Sequence, residues 1–155
     1  MANTYSQIYI QVVFAIQNRD ASIQPEWEEE LYKYITGIIR NSGQKLLAIN
    51  GTENHIHIFF GMKPTCCLSD LVREIKKAST KFINERNFNR FKFQWQVGFG
   101  AFSYGHSQLD HVIKYIDGQK EHHKKQTFRE EYVAFLKLFK IDFKDDYLFE
   151  WNDDE

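Results

Sequence analysis

Between Tyr9 and Gln17 the chain reads YIQVVFAIQ, a β-branched and apolar run that predicts a first strand. The polar stretch NRDASIQ follows as a loop, and Pro25 stands where the first turn of a helix favours proline. Trp27, Leu31, Tyr34, Ile35 and Ile38 then recur at helical spacing, which predicts a helix to about Asn41 with Gly43 as its stop. KLLAING (45–51) and NHIHIFFGM (54–62) predict two strands, and the short GTE between them predicts an antiparallel hairpin. After the loop KPTCC, Ser69 is placed to cap a second helix with Leu71, Val72, Ile75, Ala78, Phe82 and Ile83 as its buried stripe. FKFQWQVGFGAFSY (91–104) predicts a long aromatic strand. Ser107 with Asp110, and Thr127 with Glu130, have the spacing of capping boxes and open a third and a fourth helix. The tail IDFKDDYLFEWNDDE is acidic and aromatic, and its end is expected to be mobile.

Strand-helix-strand-strand-helix-strand, followed by helices, is the split β-α-β order of a ferredoxin-like (RRM-like) α+β fold. Its sheet is mainly antiparallel, with the first two helices on one face and a C-terminal helix added. A chain of 155 residues is one domain, with a core over about 5–135 and an acidic tail over about 142–155. Hydrophobic residues make up 43% and aromatics 16%, enough to build that core. The net charge of −1 excludes a uniformly basic surface, so any nucleic-acid contact must use local clusters. The outer face of the second helix offers one: Arg73, Lys76, Lys77 and Lys81. Cys66 and Cys67 are adjacent, without zinc or disulfide-framework spacing, which fits a reduced, cytoplasmic protein. No signal-peptide pattern opens the chain, and no run of 18 apolar residues predicts a membrane span.

Within the third strand, His55 and His57 are two residues apart and so share a face, while Ile56, Ile58 and Phe60 share the other. The third helix reads SQLDHVIKYIDGQKEHH. Leu109, Val112, Ile113 and Ile116 make its apolar stripe, and His111, Tyr115, Gln119 and His122 a separate one. Tyrosine can act as a covalent nucleophile, but with an ordinary pKa near ~10 it needs help at neutral pH. A divalent cation held by the two histidines, with Gln119 adding an amide oxygen, would supply that help by polarising a phosphoryl oxygen. Each signal alone has a plainer reading. A tyrosine is usually a core or surface residue, a paired histidine a solvated helix end, a basic helix face simply hydrated. Their occurrence together, in this order, is what points to chemistry.

That order resembles the single-tyrosine HUH transposases, the small transposases of insertion sequences that move as single-stranded DNA, REP-associated tyrosine transposases included. The histidine-hydrophobe-histidine motif is His55-Ile56-His57, and YIDGQKEHH (115–123) matches the family's Tyr-Ile-x-x-Gln followed by paired histidines. WQVGFGAFSYGHSQLDHV (95–112) matches its aromatic strand, and VVFAIQNR (12–19) its first strand and turn. The resemblance implies Tyr115 as nucleophile and His55, His57 and Gln119 as ligands of Mg²⁺ or Mn²⁺. It implies cleavage and rejoining of hairpin-bearing single-stranded DNA through a 5′-phosphotyrosine, by a homodimer and without a nucleotide cofactor. It leaves the acidic tail without a role. Three other readings stand beside it: a domesticated relative acting on genomic palindromes, a non-catalytic single-strand binder that stacks bases on an exposed sheet, and a zinc hydrolase.

Overall fold

The computed structural model describes residues 3–151. Its strands are β1 (Tyr9–Ala15), β2 (Lys45–Gly51), β3 (His55–Gly61) and β4 (Gly100–Tyr104). Its helices are α1 (Pro25–Asn41), α2 (Leu68–Glu85), α3 (Leu109–Asp117), α4 (Gln119–His122) and α5 (Phe128–Leu138). The strands pair in the order β2-β3-β1-β4, every neighbour antiparallel, which is the ferredoxin-like arrangement the element order implies.

Register decides what each sheet face carries. Val12 lies opposite Ile58 and Phe14 opposite Ile56, and with Phe60 they form one apolar face. Against it pack Trp27, Leu31, Ile35 and Ile39 of α1 and Leu71, Val72, Ile75 and Ile83 of α2, all buried. Each such side chain contributes about 1.5–3 kcal/mol on leaving water. On the other face, Ala15 is opposite His55, Val13 opposite His57 and Gln11 opposite Phe59. Ala48, Asn50, Gly100 and Phe102 fall on this face too. α3 covers part of it through Val112 and Ile116, which pack on Ala48 and Phe59. α5 covers the rest: Phe135 lies 5.1 Å from the Phe102 ring, and Phe128 stacks on the His55 ring at 4.0 Å.

Four expectations need correction. Cys67, not Ser69, precedes the first residue of α2, and Ser69 lies inside that helix without capping it. The strand expected over 91–104 is regular only from Gly100, because Gly98 turns the backbone at φ +91°; upstream only Trp95 bridges to Ile16. Ser107 opens no helix: His106–Gln108 is a 3-10 turn, closed by the Gln108 side chain accepting from Gly105 N, and α3 starts at Leu109. The helix expected to run on to His123 is interrupted at Gly118, which separates α3 from α4. The Thr127–Glu130 capping box forms as expected.

The tail packs on the core. Phe149 is buried against Phe128 and Tyr132, at ring separations of 5.9 and 5.0 Å. The Gln96 side chain holds the Glu150 backbone twice, donating to its carbonyl at 2.7 Å and accepting from its N–H at 2.7 Å. The end of the tail, residues 152–155, lies outside the described residues. Among the described residues, no helix is long and apolar enough to cross a membrane.

Candidate functional site

The hairpin brings His55 and His57 to the start of β3, both fully buried. Each ring is fixed through Nδ1. His55 Nδ1 lies 2.7 Å from Asn54 Oδ1, which also accepts from the Thr52 hydroxyl at 2.9 Å. His57 Nδ1 lies 2.6 Å from Gln11 Oε1, and the Gln11 amide donates to the Tyr104 hydroxyl at 2.8 Å. With oxygens as partners, both rings carry their proton on Nδ1. Their Nε2 lone pairs face inward, the orientation seen where a carbonyl or carboxylate steers a metal-binding histidine.

α3 and α4 deliver the phenol and the amide. The Asn50 side chain donates to the Ile116 and Asp117 carbonyls at 3.0 and 3.1 Å, pinning the end of α3 to β2. Tyr115 is thereby held with its ring 6.1 Å from that of His57 in the same chain. Gly118 interrupts the helix but Gly118 N still bonds the Lys114 carbonyl at 3.0 Å, so Gln119 stays beside the site. Gln119 is fully buried with Oε1 3.1 Å from His55 Nε2.

At the centre sits Glu131 of α5, a residue with no motif around it in the sequence. Its Oε1 lies 3.1 Å from His57 Nε2, 3.3 Å from His55 Nε2 and 3.0 Å from His123 Nε2. Its Oε2 accepts from the Tyr115 hydroxyl and, at 2.9 Å, from the Gln119 amide. His122 Nε2 stands 3.3 Å from the Tyr115 hydroxyl. One nitrogen from each of His55, His57 and His123 and one Glu131 oxygen lie within 4.8 Å of one another, so these groups could hold a metal ion. Buried, neutral imidazoles with a carboxylate suit a divalent cation chemically. Of the residues singled out in the sequence, His55, His57, Tyr115 and Gln119 meet here. Glu131 and His123 were missed. The second histidine of the HH pair was the available signal for His123; Glu131 offered only its place one turn into a capped helix.

Electrostatics follow from burial. Burial raises the Glu131 carboxyl, and the imidazoles around it, His57 first and then His123 and His55, lower it only in so far as they bring a proton or a charge to it. Burial lowers His55 to about 4, against which the Glu131 hydrogen bond acts only in part. Tyr115 is pushed well above its ordinary value, by burial first and then by the charge and hydrogen bond of Glu131. The His55 shift sets a pH dependence. The unfolded chain takes up this proton near pH 6.5 and the folded chain only near 4, so the contribution is complete above 6.5 and lost as pH falls to 4. In metal-free buffer, the unfolding free energy from denaturant titrations is expected to decline over this window by on the order of 3 kcal/mol. A flat profile there would show that His55 takes up its proton as readily in the fold as in the unfolded chain.

A cavity of about 580 Å³ opens beside the Tyr115 hydroxyl, lined by Gln11, Tyr104, His111, His122, Glu131 and Phe135 among others. His111 therefore faces the space next to the phenol without joining the histidine cluster. The basic residues of α2 lie across the sheet from this site. Lys81 and Lys77 are exposed there, and Arg73 pairs with Asp70. Lys76 is spent internally: its ammonium donates to the Gln96 and Gly98 carbonyls at 2.7 and 2.6 Å, and burial lowers it to about 8. Lys76→Ala is expected to cost about 1–3 kcal/mol of stability. Lys77→Ala should stay within about 0.5 kcal/mol. Thermal melts read both, and equal midpoints for the two variants would contradict the assignment.

The sequence model of the family described as "Transposase IS200 like" matches residues 4–119, three quarters of the chain. The chain belongs to the IS200-like transposase family. The matched segment carries the hairpin histidines, Tyr115 and Gln119, and ends at Gln119; His123, Glu131 and the packed tail lie beyond it. Two solved structures share the transposase fold. One, a Deinococcus radiodurans protein described provisionally as a transposase, superposes with a TM-score of 0.61 at 16% identity, covering 77% of this chain and 95% of its own. The other, a REP-associated tyrosine transposase bound to a REP hairpin, gives 0.55 at 18% identity, covering 75% of this chain and 68% of its own. No curated protein sequence matches the chain at a significant level.

Proposed function

We propose that this IS200-like transposase cleaves and rejoins single-stranded DNA, with Tyr115 as nucleophile and His55, His57 and Gln119 as ligands of a divalent cation, Mg²⁺ or Mn²⁺. The observation that carries this reading is the convergence of Tyr115 with both β3 histidines of its own chain around the Glu131 carboxylate. The Tyr115 oxygen attacks the scissile phosphorus. A phosphorus–Tyr115 oxygen bond forms and the phosphorus–O3′ bond breaks, giving a 5′-phosphotyrosine and a 3′-OH. Glu131 Oε2, already hydrogen-bonded to the phenol, is the acceptor at hand for its proton, and the departing 3′ oxygen takes one up. The phosphodiester is exchanged and not hydrolysed, so a 3′-OH can reverse the step without a nucleotide cofactor. A divalent cation would supply, when bound, positive charge against a phosphoryl oxygen and against Glu131, whose charge adds to burial in keeping the phenol protonated.

Hairpin DNA is the proposed partner, supported by the REP hairpin bound to the REP-associated neighbour. One nucleophile per chain attaches one DNA end, so joining two ends calls for a homodimer. The proposed setting is the cytoplasm. The same neighbour favours a second reading, a domesticated relative acting on scattered genomic palindromes. Imperfect hairpins bracketing several copies of the gene point to a mobile element; a single copy among scattered repeats points to domestication.

The test is a covalent-adduct assay. Labelled single strands from the gene's flanks are incubated with the protein in Mn²⁺, Mg²⁺ or EDTA. A denaturation-resistant adduct is expected with metal and not with EDTA. Hairpin binding without any adduct would sink the transposase reading in favour of a non-catalytic binder.

A further inference from the structure

Two side chains beyond the family-matched segment reach the proposed cation site, and their protons need an account. His55 Nε2, His57 Nε2 and His123 Nε2 stand 3.3, 3.1 and 3.0 Å from a single oxygen, Glu131 Oε1. His55 and His57 have spent their N–H groups on Asn54 and Gln11. As neutral rings they therefore both aim lone pairs at the same carboxyl oxygen, which can donate to one of them at most. Gln119 Oε1, 3.1 Å from His55 Nε2, repeats the conflict. Imidazolium rings would restore donors, but the His55 ring centre is 5.1 Å from that of His57 and 4.6 Å from that of His123. Three positive charges would then share a nearly solvent-free pocket with one carboxylate, at several kcal/mol for each uncompensated ion.

A cation at the centre removes the conflict, because every lone pair then points at it. The separations agree. Ligand atoms each about 2.1 Å from one ion are roughly 3.0 Å apart at right angles and roughly 3.4 Å apart at the tetrahedral angle. The three nitrogen–oxygen separations run from 3.0 to 3.3 Å, and all four ligand atoms lie within 4.8 Å of one another. We propose that Glu131 and His123 are additional metal ligands, completing with His55 and His57 a three-imidazole, one-carboxylate site for a first-row transition dication. Gln119, the third ligand of the reading above, stands beside this set with Oε1 3.1 Å from His55 Nε2 as a further oxygen donor, and its amide bond to Glu131 Oε2 at 2.9 Å positions the carboxylate. Of the two cations proposed above, such a ligand set narrows the choice to Mn²⁺, since Mg²⁺ prefers oxygen ligands and keeps several of its waters. Imidazole favours Co²⁺, Ni²⁺ and Zn²⁺ over Mn²⁺. The carboxylate also ties the cation to the nucleophile, since its second oxygen holds the Tyr115 hydroxyl. The inference rests on His55 and His57 being metal ligands and adds to them two groups from the C-terminal part of the chain.

The test titrates the full-length protein, without DNA, with Co²⁺ and separately with Mg²⁺, read by calorimetry and by the visible absorption of bound Co²⁺. Wild type is expected to bind Co²⁺ at least a hundredfold more tightly than Mg²⁺. Glu131→Gln, which keeps shape and loses charge, and His123→Asn should each weaken Co²⁺ at least tenfold and alter its absorption. Circular dichroism in EDTA establishes that each variant is folded, and the partly exposed His123 supplies the result if Glu131→Gln is not. Co²⁺ held as tightly or more tightly by both variants, with loss only in His55→Ala, would overturn the inference and leave the histidine-pair reading standing. Binding unchanged in all three variants would overturn both.

Discussion

Tyr115→Phe is expected to reduce the covalent protein–DNA product by at least about a thousandfold, while hairpin affinity stays within about twofold of wild type. The substitution removes one oxygen and little else. The ring keeps its edge contacts with His57, His122 and Phe135, at 6.1, 5.0 and 5.8 Å. Glu131 loses the phenol as a donor but retains the Gln119 amide at 2.9 Å, so the fold should survive. What disappears is the hydroxyl that becomes a phosphoryl ester in the proposed reaction. Tyr104 is the informative control, because its hydroxyl lines the same cavity and is bound to Gln11 at 2.8 Å. Tyr104→Phe should loosen Gln11, and through it His57, lowering the rate without eliminating the adduct. Adduct formed by Tyr115→Phe and lost in Tyr104→Phe would move the nucleophile from α3 to β4.

The sheet and the helices that cover its first face were legible because they obey strict periods. Alternation along β3 separates Ile56, Ile58 and Phe60 from the two histidines, and α1 runs from Pro25 to Asn41 as its apolar spacing implies. Local chemistry failed where a residue type admits two backbone outcomes. Ser69 suits a cap, yet the helix begins one residue before it. The aromatic stretch from Phe91 has strand composition, but Gly98 turns the chain and Phe93 and Trp95 are used as core. At the site, His55, His57, Tyr115 and Gln119 could be found because their spacing within a strand or helix already carries their geometry. Glu131 could not. Its position depends on how α5 returns over the sheet. That return is set by Phe128 on the His55 ring, Phe135 on Phe102, and Tyr132 packed against Gly100 where a Cβ would otherwise sit. These are long-range contacts that no local pattern records. The break at Gly118 acts in the same way, resetting the helical phase so that His123 reaches the cluster and His122 the phenol.

Gly51→Ala should damage fold and site together. Gly51 ends β2 opposite Ile56, and the next residue closes the hairpin by donating Thr52 N to the His55 carbonyl at 3.0 Å. A Cβ at position 51 would collide with that carbonyl oxygen and stand 2.9 Å from Ile56 Cα. Both obstacles are backbone, so no rotamer change relieves them. The hairpin must open or β3 must shift. Overpacking costs typically about 1–3 kcal/mol, and a backbone clash belongs at or above the top of that range. For a domain of this size, about 3 kcal/mol lowers the melting midpoint by roughly 6–12 °C. The displaced residue is His55 itself, whose Nδ1 is held by Asn54 and Thr52 of the same turn. Metal-dependent adduct formation should therefore fall further than the loss of folded protein explains, even at temperatures where the variant is fully folded. Gly37→Ala supplies the contrast: it lies within α1 with open space around it, and alanine there should be neutral or stabilising by up to about 1 kcal/mol. A Gly51→Ala protein that melts within about 2 °C of wild type, with cleavage intact, would mean that the hairpin tolerates a side chain at this turn and that His55 is not positioned by it.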